Sequence, residues 1–213
     1  SPDSGFDPAE FDGRIPEVVS YTVRRDDLQQ QAILSYLAIK YGITLTQPSD
    51  YVNSAGTVVW DASINTTFNN DIFGIARDDD SMLSQRQSKS VNDGTILTAG
   101  LGAITASNET NSNSFSSDQT ALLFGNNNGS TNSLAATYNG GNNVGINRIW
   151  QVEETGNVAA TQISIPKSAV PSGITAVYIK NGDPALGTGG TLVSLTDNGT
   201  TLSADVDFSD GDY

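Results

Sequence analysis

The sequence contains no cysteine and no histidine among its 213 residues. A chain without these side chains cannot form a Ser-His-Asp triad, a cysteine nucleophile or an ordinary zinc or copper site. It also forms no disulfides, which small secreted modules of eukaryotes commonly use, so their absence favours a bacterial protein. We therefore expect a protein that is not an enzyme.

Basic residues are scarce. Ten Lys and Arg face 24 Asp and Glu, which gives a net charge of -14. This charge repels nucleic acid and anionic lipid. No apolar run approaches the roughly 18 residues that a membrane-spanning helix needs. We expect neither nucleic-acid binding nor membrane insertion.

The first residues, SPDSGFDPAEF, lack the basic and apolar regions of a signal peptide. An exported protein would therefore contain this chain as a mature fragment of something longer. Export is favoured by the polar composition, which depends on Asn, Ser, Thr and Gly because only 16% of residues are charged. Asn, Asp and Gly supply the conformations of turns, and a turn-rich composition is typical of secreted β-proteins. We expect an extracellular or cell-surface location.

Residues 13–23 are rich in β-branched side chains and predict a strand, which Pro16 restricts to a sheet edge. A helix is predicted over residues 26–41. Asp26 is a suitable N-cap, Gln29 occupies the capping-box position, and Gly42 is suited to the C′ position. The apolar residues of this helix cover a wide arc, so it should pack against a sheet.

After residue 51 the pattern changes to short apolar runs bounded by Gly, Asn and Asp. Strands are predicted near residues 57–60, 72–76, 81–90, 95–101, 119–125, 146–153, 160–166, 176–180, 191–195 and 201–208. Two Asn-rich segments, 106–118 and 126–147, are predicted to be exposed and mobile loops.

These elements predict a mostly β fold, in which one N-terminal α-helix packs on an antiparallel β-sandwich and an orphan edge strand precedes the helix. The predicted divisions are a lead-in and strand over residues 1–25, a helix and linker over 26–48, and the sandwich over 51–213.

From residue 11 onward, nearly the whole sequence resembles a known arrangement of domains. The N-terminal phrase is similar to the closing strand of a laminin-G/concanavalin-like jelly roll, through Phe11, Gly13, Ile15, Glu17, Val18 and Tyr21. The sequences at residues 35–45, 69–79, 148–156 and 205–213 resemble a β-rich module of uncharacterised function. That module follows such lectin-like domains in large surface proteins of Bacteroidota and marine bacteria. The resemblance implies an extracellular, non-catalytic part of an adhesin-like protein, with neighbouring domains of the same polypeptide as partners.

Glu153 and Glu154 are the obvious carboxylate pair, but adjacent strand residues point to opposite faces. They cannot act together across one glycosidic bond, and a glycosidase would need a second carboxylate from elsewhere in the fold. We predict instead a strand end with one buried, paired carboxylate.

Calcium is the metal that the composition favours, because oxygen ligands are plentiful. The candidate ligands form two clusters, Asp78, Asp79 and Asp80 in one, and Asp205, Asp207 and Asp210 in the other. Neither cluster has the spacing of a calcium-binding loop, so the alternative is a set of solvated turn carboxylates.

Tyr138 and Trp60 are candidates for stacking on a glycan, although Trp60 and Trp150 lie in strand contexts where a tryptophan is usually part of the core. Asp80-Ser81-Met82 resembles a bacterial O-glycosylation acceptor, which makes Ser81 a candidate site. Arg77 and Arg148 are predicted to pair with acidic neighbours.

Three functions are consistent with these patterns. The first is an extracellular structural or adhesive module. The second is a self-assembling filament subunit, in which Ile15, Val18, Val19, Tyr21 and Val23 belong to a strand that completes the sheet of another copy. The third is a carbohydrate-binding module that recognises surface glycans.

Overall fold

The computed structural model describes residues 13–213. Its elements, in chain order, are helix α1 (Asp27–Tyr41) and strands β1 (Tyr51–Val52), β2 (Val58–Trp60), β3 (Asn70–Asp78), β4 (Leu83–Gln85), β5 (Gln87–Lys89), β6 (Thr98–Leu101), β7 (Thr120–Asn126), β8 (Ala136–Tyr138), β9 (Asn143–Gly145), β10 (Trp150–Thr155), β11 (Thr161–Pro166), β12 (Ala176–Ile179), β13 (Thr191–Ser194), β14 (Thr196–Asp197) and β15 (Thr201–Val206). Two short 3-10 helices occupy Asn139–Gly141 and Lys167–Ala169.

Two antiparallel sheets form the body of the protein. The four-stranded sheet has the order β10-β7-β3-β4, and the five-stranded sheet has the order β14-β15-β11-β6-β5. The core between them contains Phe73, Leu122 and Phe124 from the first sheet and Ile163 and Ala204 from the second. Alternate residues of the central strands, such as Leu122 and Phe124 of β7, point into this core, so the predicted β-sandwich is confirmed.

A second core lies on the outer face of the four-stranded sheet. Ile39 of α1 and Trp60 of the β1–β2 hairpin pack there with Ile72 and Leu123. The central strand β7 is therefore buried on both faces along its whole length. The prediction that the helix packs on the sandwich is confirmed, and the molecule has three layers.

Both ends of α1 have the predicted caps. The Asp26 carboxylate accepts a hydrogen bond from the Gln29 amide at 2.8 Å, and the Gln29 side chain accepts one from the Asp26 amide at 3.3 Å. Gly42 ends the helix in the left-handed conformation at φ +65°. A Cβ at Gly42 would lie 2.1 Å from the carbonyl oxygen of Lys89, so the helix end also fits closely against β5.

The strand predicted over residues 81–90 is divided between the two sheets. β4 pairs with β3 in the four-stranded sheet, whereas β5 pairs with β6 in the five-stranded sheet. Arg86 lies between them, and its amide donates to the Asn108 side chain at 2.6 Å. The chain thus closes one side of the sandwich by passing from one sheet to the other.

The first Asn-rich segment is a loop, as predicted, but it is not simply exposed. Asn111 is fully buried, and its amide group donates to the carbonyl oxygens of Leu101 at 3.2 Å and Ala103 at 2.8 Å. Phe115 joins the core between the sheets. The prediction of exposure is wrong for these two residues, because the side chains of the loop replace ladder hydrogen bonds that the backbone lacks.

The C-terminal segment, residues 208–213, lies along β10. The Val152 amide donates to the Asp212 carbonyl at 2.8 Å, and the Gly211 amide donates to the Val152 carbonyl at 3.0 Å. On its other side, Tyr213 and Lys180 exchange two backbone hydrogen bonds of 3.1 Å each. This segment joins the four-stranded sheet to the β12–β13 hairpin.

The predicted N-terminal strand is not formed in this structure. Residues 13–26 belong to no strand in the described part of the chain. Phe11 and the rest of the predicted lead-in up to residue 12 lie outside the described residues. Residues 13–25 contact α1 instead.

Candidate functional site

The residues that precede α1, 13–25, form what we call the junction segment. Its large apolar side chains are between 41% and 80% exposed: Ile15, Val18, Val19, Tyr21 and Val23. Single apolar side chains are common on protein surfaces, but five within nine residues form a cluster that usually marks an interaction surface. These are the residues that the sequence predicts as an interface.

Glu17 fastens the junction segment to α1. Its carboxylate accepts hydrogen bonds of 2.9 Å each from the Tyr36 hydroxyl, the Lys40 ammonium group and the Tyr41 hydroxyl. Lys40 and then Tyr36 hold the pKa of Glu17 below its ordinary value, and Tyr36 and Glu17 raise the pKa of Lys40. The pair is therefore charged at neutral pH, and one point of the segment is fixed while its apolar side chains face solvent.

A second feature is an apolar cavity of about 230 Å³ beside the core between the sheets. Its wall comes from both large sheets, from the β8–β9 and β12–β13 hairpins and from the C-terminal segment. The aliphatic and aromatic side chains that dominate the wall include Leu97, Trp150, Ile165, Val177, Leu192 and Phe208.

The two tyrosine hydroxyls and the one guanidinium group of the cavity wall have partners within the protein. The Tyr138 hydroxyl donates to the Ile146 carbonyl, and the Tyr178 hydroxyl donates to the Gly187 carbonyl at 2.5 Å. Arg148 donates to two backbone carbonyl oxygens, at 2.9 Å and 3.1 Å. The cavity therefore presents mainly hydrocarbon.

Residues 29–212 match a family described as a domain of unknown function, DUF8202. The chain belongs to the DUF8202 family. No curated protein and no solved structure matches it. The DUF8202 match begins in the first turn of α1 and takes in both sheets and the cavity, so the junction segment precedes it.

The first predicted calcium cluster of the DUF8202 domain is engaged in other contacts. Asp78 is buried and accepts hydrogen bonds from the Ser54 amide at 2.7 Å and the Ser54 hydroxyl at 2.6 Å. Asp79 forms an ion pair with Arg77 at 2.7 Å, which lowers the pKa of Asp79. Asp80 is exposed. The predicted pairing of Arg77 with an acidic neighbour is confirmed.

The second cluster is equally dispersed. Asp205 accepts a hydrogen bond from the Gln162 side chain at 3.1 Å, Asp210 accepts one from the Glu154 amide at 3.1 Å, and Asp207 is exposed. Within residues 13–213, no three acidic residues are grouped so that they could hold a metal ion. The structure does not assemble the predicted calcium ligands, because these side chains point to different surfaces or already have partners.

Neither candidate for glycan stacking is an exposed platform. Trp60 is completely buried, and its indole N–H donates to the Asn69 side chain at 2.8 Å. Tyr138 is half-buried in the cavity wall, where burial raises the pKa of its hydroxyl. The prediction of stacking is therefore wrong for Trp60, and Tyr138 faces hydrocarbon instead of solvent.

Ser81, the predicted O-glycosylation site, lies in the turn after β3. Its hydroxyl donates to the Asp78 carbonyl at 3.2 Å, and the side chain is half-buried. Ser81 as a modification site stays a prediction.

The adjacent carboxylates divide as predicted. Glu153 is half-buried and accepts hydrogen bonds from the Asn65 side chain and, at 3.2 Å, from the Asp61 amide. Burial raises the pKa of Glu153. Glu154 accepts a hydrogen bond from the Val158 amide at 2.7 Å, so the two carboxylates do not meet at one site.

Sequence reasoning missed both Glu17 as an anchor and the cavity. Glu17 is the one acidic residue of residues 13–25 among its apolar side chains, which is a usable signal. The cavity has no such signal, because its wall comes from strands that are far apart in the chain. In residues 13–213, no helix is both long enough and apolar enough to cross a membrane.

Proposed function

We propose that this DUF8202 domain is a non-catalytic structural module of a large bacterial surface or secreted protein and that it contributes to adhesion. A preceding domain takes up the junction segment as a strand of its own sheet. The observation that carries the proposal is the anchoring of Glu17 on α1 next to five exposed apolar side chains. An added strand buries such side chains and, in the same step, provides hydrogen-bond partners for backbone N–H and C=O groups.

The contact between Glu17 and α1 gives this connection a mechanical role. Glu17 holds the segment at three hydroxyl and ammonium groups of α1, and α1 is packed into the second core. A strand shared between a neighbouring sheet and this helix would fix the orientation of two domains. Rigid serial connection of domains is what a long surface protein requires.

Hydrogen exchange tests the connection. The amides of residues 15–23 should exchange quickly in the chain alone and be strongly protected in the longer native polypeptide that includes the preceding domain. Glu17→Ala should reduce this protection, whereas Ser20→Ala, which leaves the ion pair and the five apolar side chains intact, should change it little. Equal exchange in the short and long polypeptides would contradict the proposal.

The proposed location has its own test. An antibody raised against residues 27–213 should label intact cells of the native organism. Labelling that requires permeabilised cells would refute an extracellular role. The turn-rich composition and the lack of cysteine support the proposal.

A filament subunit is the second candidate, and the same exposed side chains favour it. In that case the junction segment enters the sheet of another copy of the chain. Sedimentation should then show concentration-dependent assembly that disappears when residues 1–25 are removed. A concentration-independent monomer with and without these residues would eliminate the filament and leave the domain connection standing.

A further inference from the structure

We propose that the apolar cavity is a binding site for an aliphatic chain of about eight to ten carbon atoms. This site is independent of the junction segment and of the proposed structural role. The proposal is based on the volume of the cavity, the chemistry of its wall and the position of its rim.

The volume sets the size of the ligand. An apolar cavity of about 150 Å³ holds a benzene molecule. The cavity of about 230 Å³ is half as large again, and most of its wall is apolar. A linear hydrocarbon group fits such a space better than a polar molecule of similar volume.

The wall sets the chemistry. The hydroxyls of Tyr138 and Tyr178 and the guanidinium group of Arg148 donate to backbone carbonyl oxygens. Because these donors are engaged, a polar ligand would gain few hydrogen bonds to compensate for its lost hydration. The site therefore takes the hydrocarbon part of a ligand.

The rim shows where the rest of the ligand would lie. Val144 on the β9 strand is 58% exposed and Leu192 on the β13 strand is 50% exposed, and both belong to the cavity wall. These two hairpins thus expose the apolar entrance to solvent. A head group would remain outside, and with a net charge of -14 the protein disfavours an anionic one. A neutral alcohol or ester is the expected form.

The β12 strand contributes accessible apolar surface to the cavity. Val177 and Ile179 pack against the core between the sheets, yet each remains partly exposed. Both side chains belong to the cavity wall, where a hydrocarbon chain would contact them.

Titration of the chain with the uncharged fluorescent probe N-phenyl-1-naphthylamine tests the site. The probe should show saturable fluorescence enhancement, and 1-decanol should displace it. Decanoate should displace it about tenfold less well because of its charge. No saturable enhancement, or no displacement by decanol, would overturn the proposal.

Matched variants locate the binding. Val177→Trp fills the cavity and should weaken probe binding about tenfold or more, and Val177→Phe should weaken it with a smaller change of volume. Val91→Trp adds the same ring at an exposed position outside the wall and should change affinity less than about twofold. If neither filling variant that remains folded weakens binding, the probe binds elsewhere and the proposal is wrong.

Removal of residues 1–25 separates this site from occupation by the chain itself. The shortened chain should bind the probe as the full chain does. Binding that appears only after the deletion would show that the apolar N-terminal residues fill the cavity, and would overturn the proposal.

Discussion

At the scale of single residues, glycine is required at position 42 for two reasons. Its φ of +65° is unfavourable for other residues, and the Lys89 carbonyl leaves no room for a Cβ. Gly94 has a similar φ of +77° but no atom within 4 Å of its Cβ position. Gly42→Ala should therefore lower the free energy of unfolding by about 3 kcal/mol, and Gly94→Ala by about 1 kcal/mol. Urea unfolding of both variants measures the difference, and equal losses would show that the close contact is unimportant.

Glu153 makes stability depend on pH. Burial raises the pKa of its carboxyl above the ordinary value of 4.5, so the folded protein binds the proton more tightly than the unfolded chain. The resulting stabilisation is present below that value and is lost as the pH rises through the raised pKa. We expect an NMR titration midpoint for Glu153 above 4.5, and a weaker fall of stability over this window in Glu153→Gln. A midpoint at or below 4.5 would contradict the effect of burial.

At the scale of secondary-structure elements, strand β7 connects the two cores. Leu122 points into the core between the sheets, and Leu123 points into the core beneath α1. Leu122→Ala and Leu123→Ala should each destabilise the protein by about 3 kcal/mol, whereas Leu34→Ala on the exposed side of α1 should cost less than about 1 kcal/mol. Thermal and denaturant unfolding would measure this. A small loss for Leu123→Ala would mean that the helix layer is not an integral part of the fold.

The elements that sequence predicted well are those with local causes. The caps of α1 depend on Asp26, Gln29 and Gly42, which are all adjacent to the helix. Strand β7 contains an apolar run, Ala121–Phe124, which its burial on both faces explains. The division of residues 81–90 between two sheets was missed, because pairing partners on β3 and β6 decide it and no local pattern reports them. The cavity was missed for the same reason.

The predicted interface and the predicted metal ligands illustrate the same limit. Exposed apolar residues 15–23 could be identified from their side chains alone, although their strand conformation requires a partner that the described chain does not supply. Aspartates close in sequence were expected to meet in space, but Asp78 bonds to Ser54 and Asp79 to Arg77. The spacing of these aspartates in the sequence does not show which other groups compete for hydrogen bonds to their carboxylates.

At the scale of the whole molecule, the C-terminal segment links the layers. Phe208 packs edge-on against Phe124 with ring centroids 5.4 Å apart, and Tyr213 packs on Phe68 at 5.2 Å. Removal of residues 208–213 should lower the free energy of unfolding by about 4 kcal/mol and promote aggregation by uncovering β10. Asp210→Asn, which keeps these rings, is the control. Unfolding measurements together with light scattering test the prediction, and an unchanged monomer after truncation would contradict it.

Covering β10 has a consequence for how the protein joins others. In residues 13–213, the remaining outer strands of the two large sheets are β4, β5 and β14, with three, three and two residues. None of them offers a ladder as long as the junction segment. The molecule can thus give a strand, but its large sheets are poorly suited to accept one. This asymmetry favours the proposed attachment to a different, preceding fold over the filament, and such an attachment would give the assembly a direction.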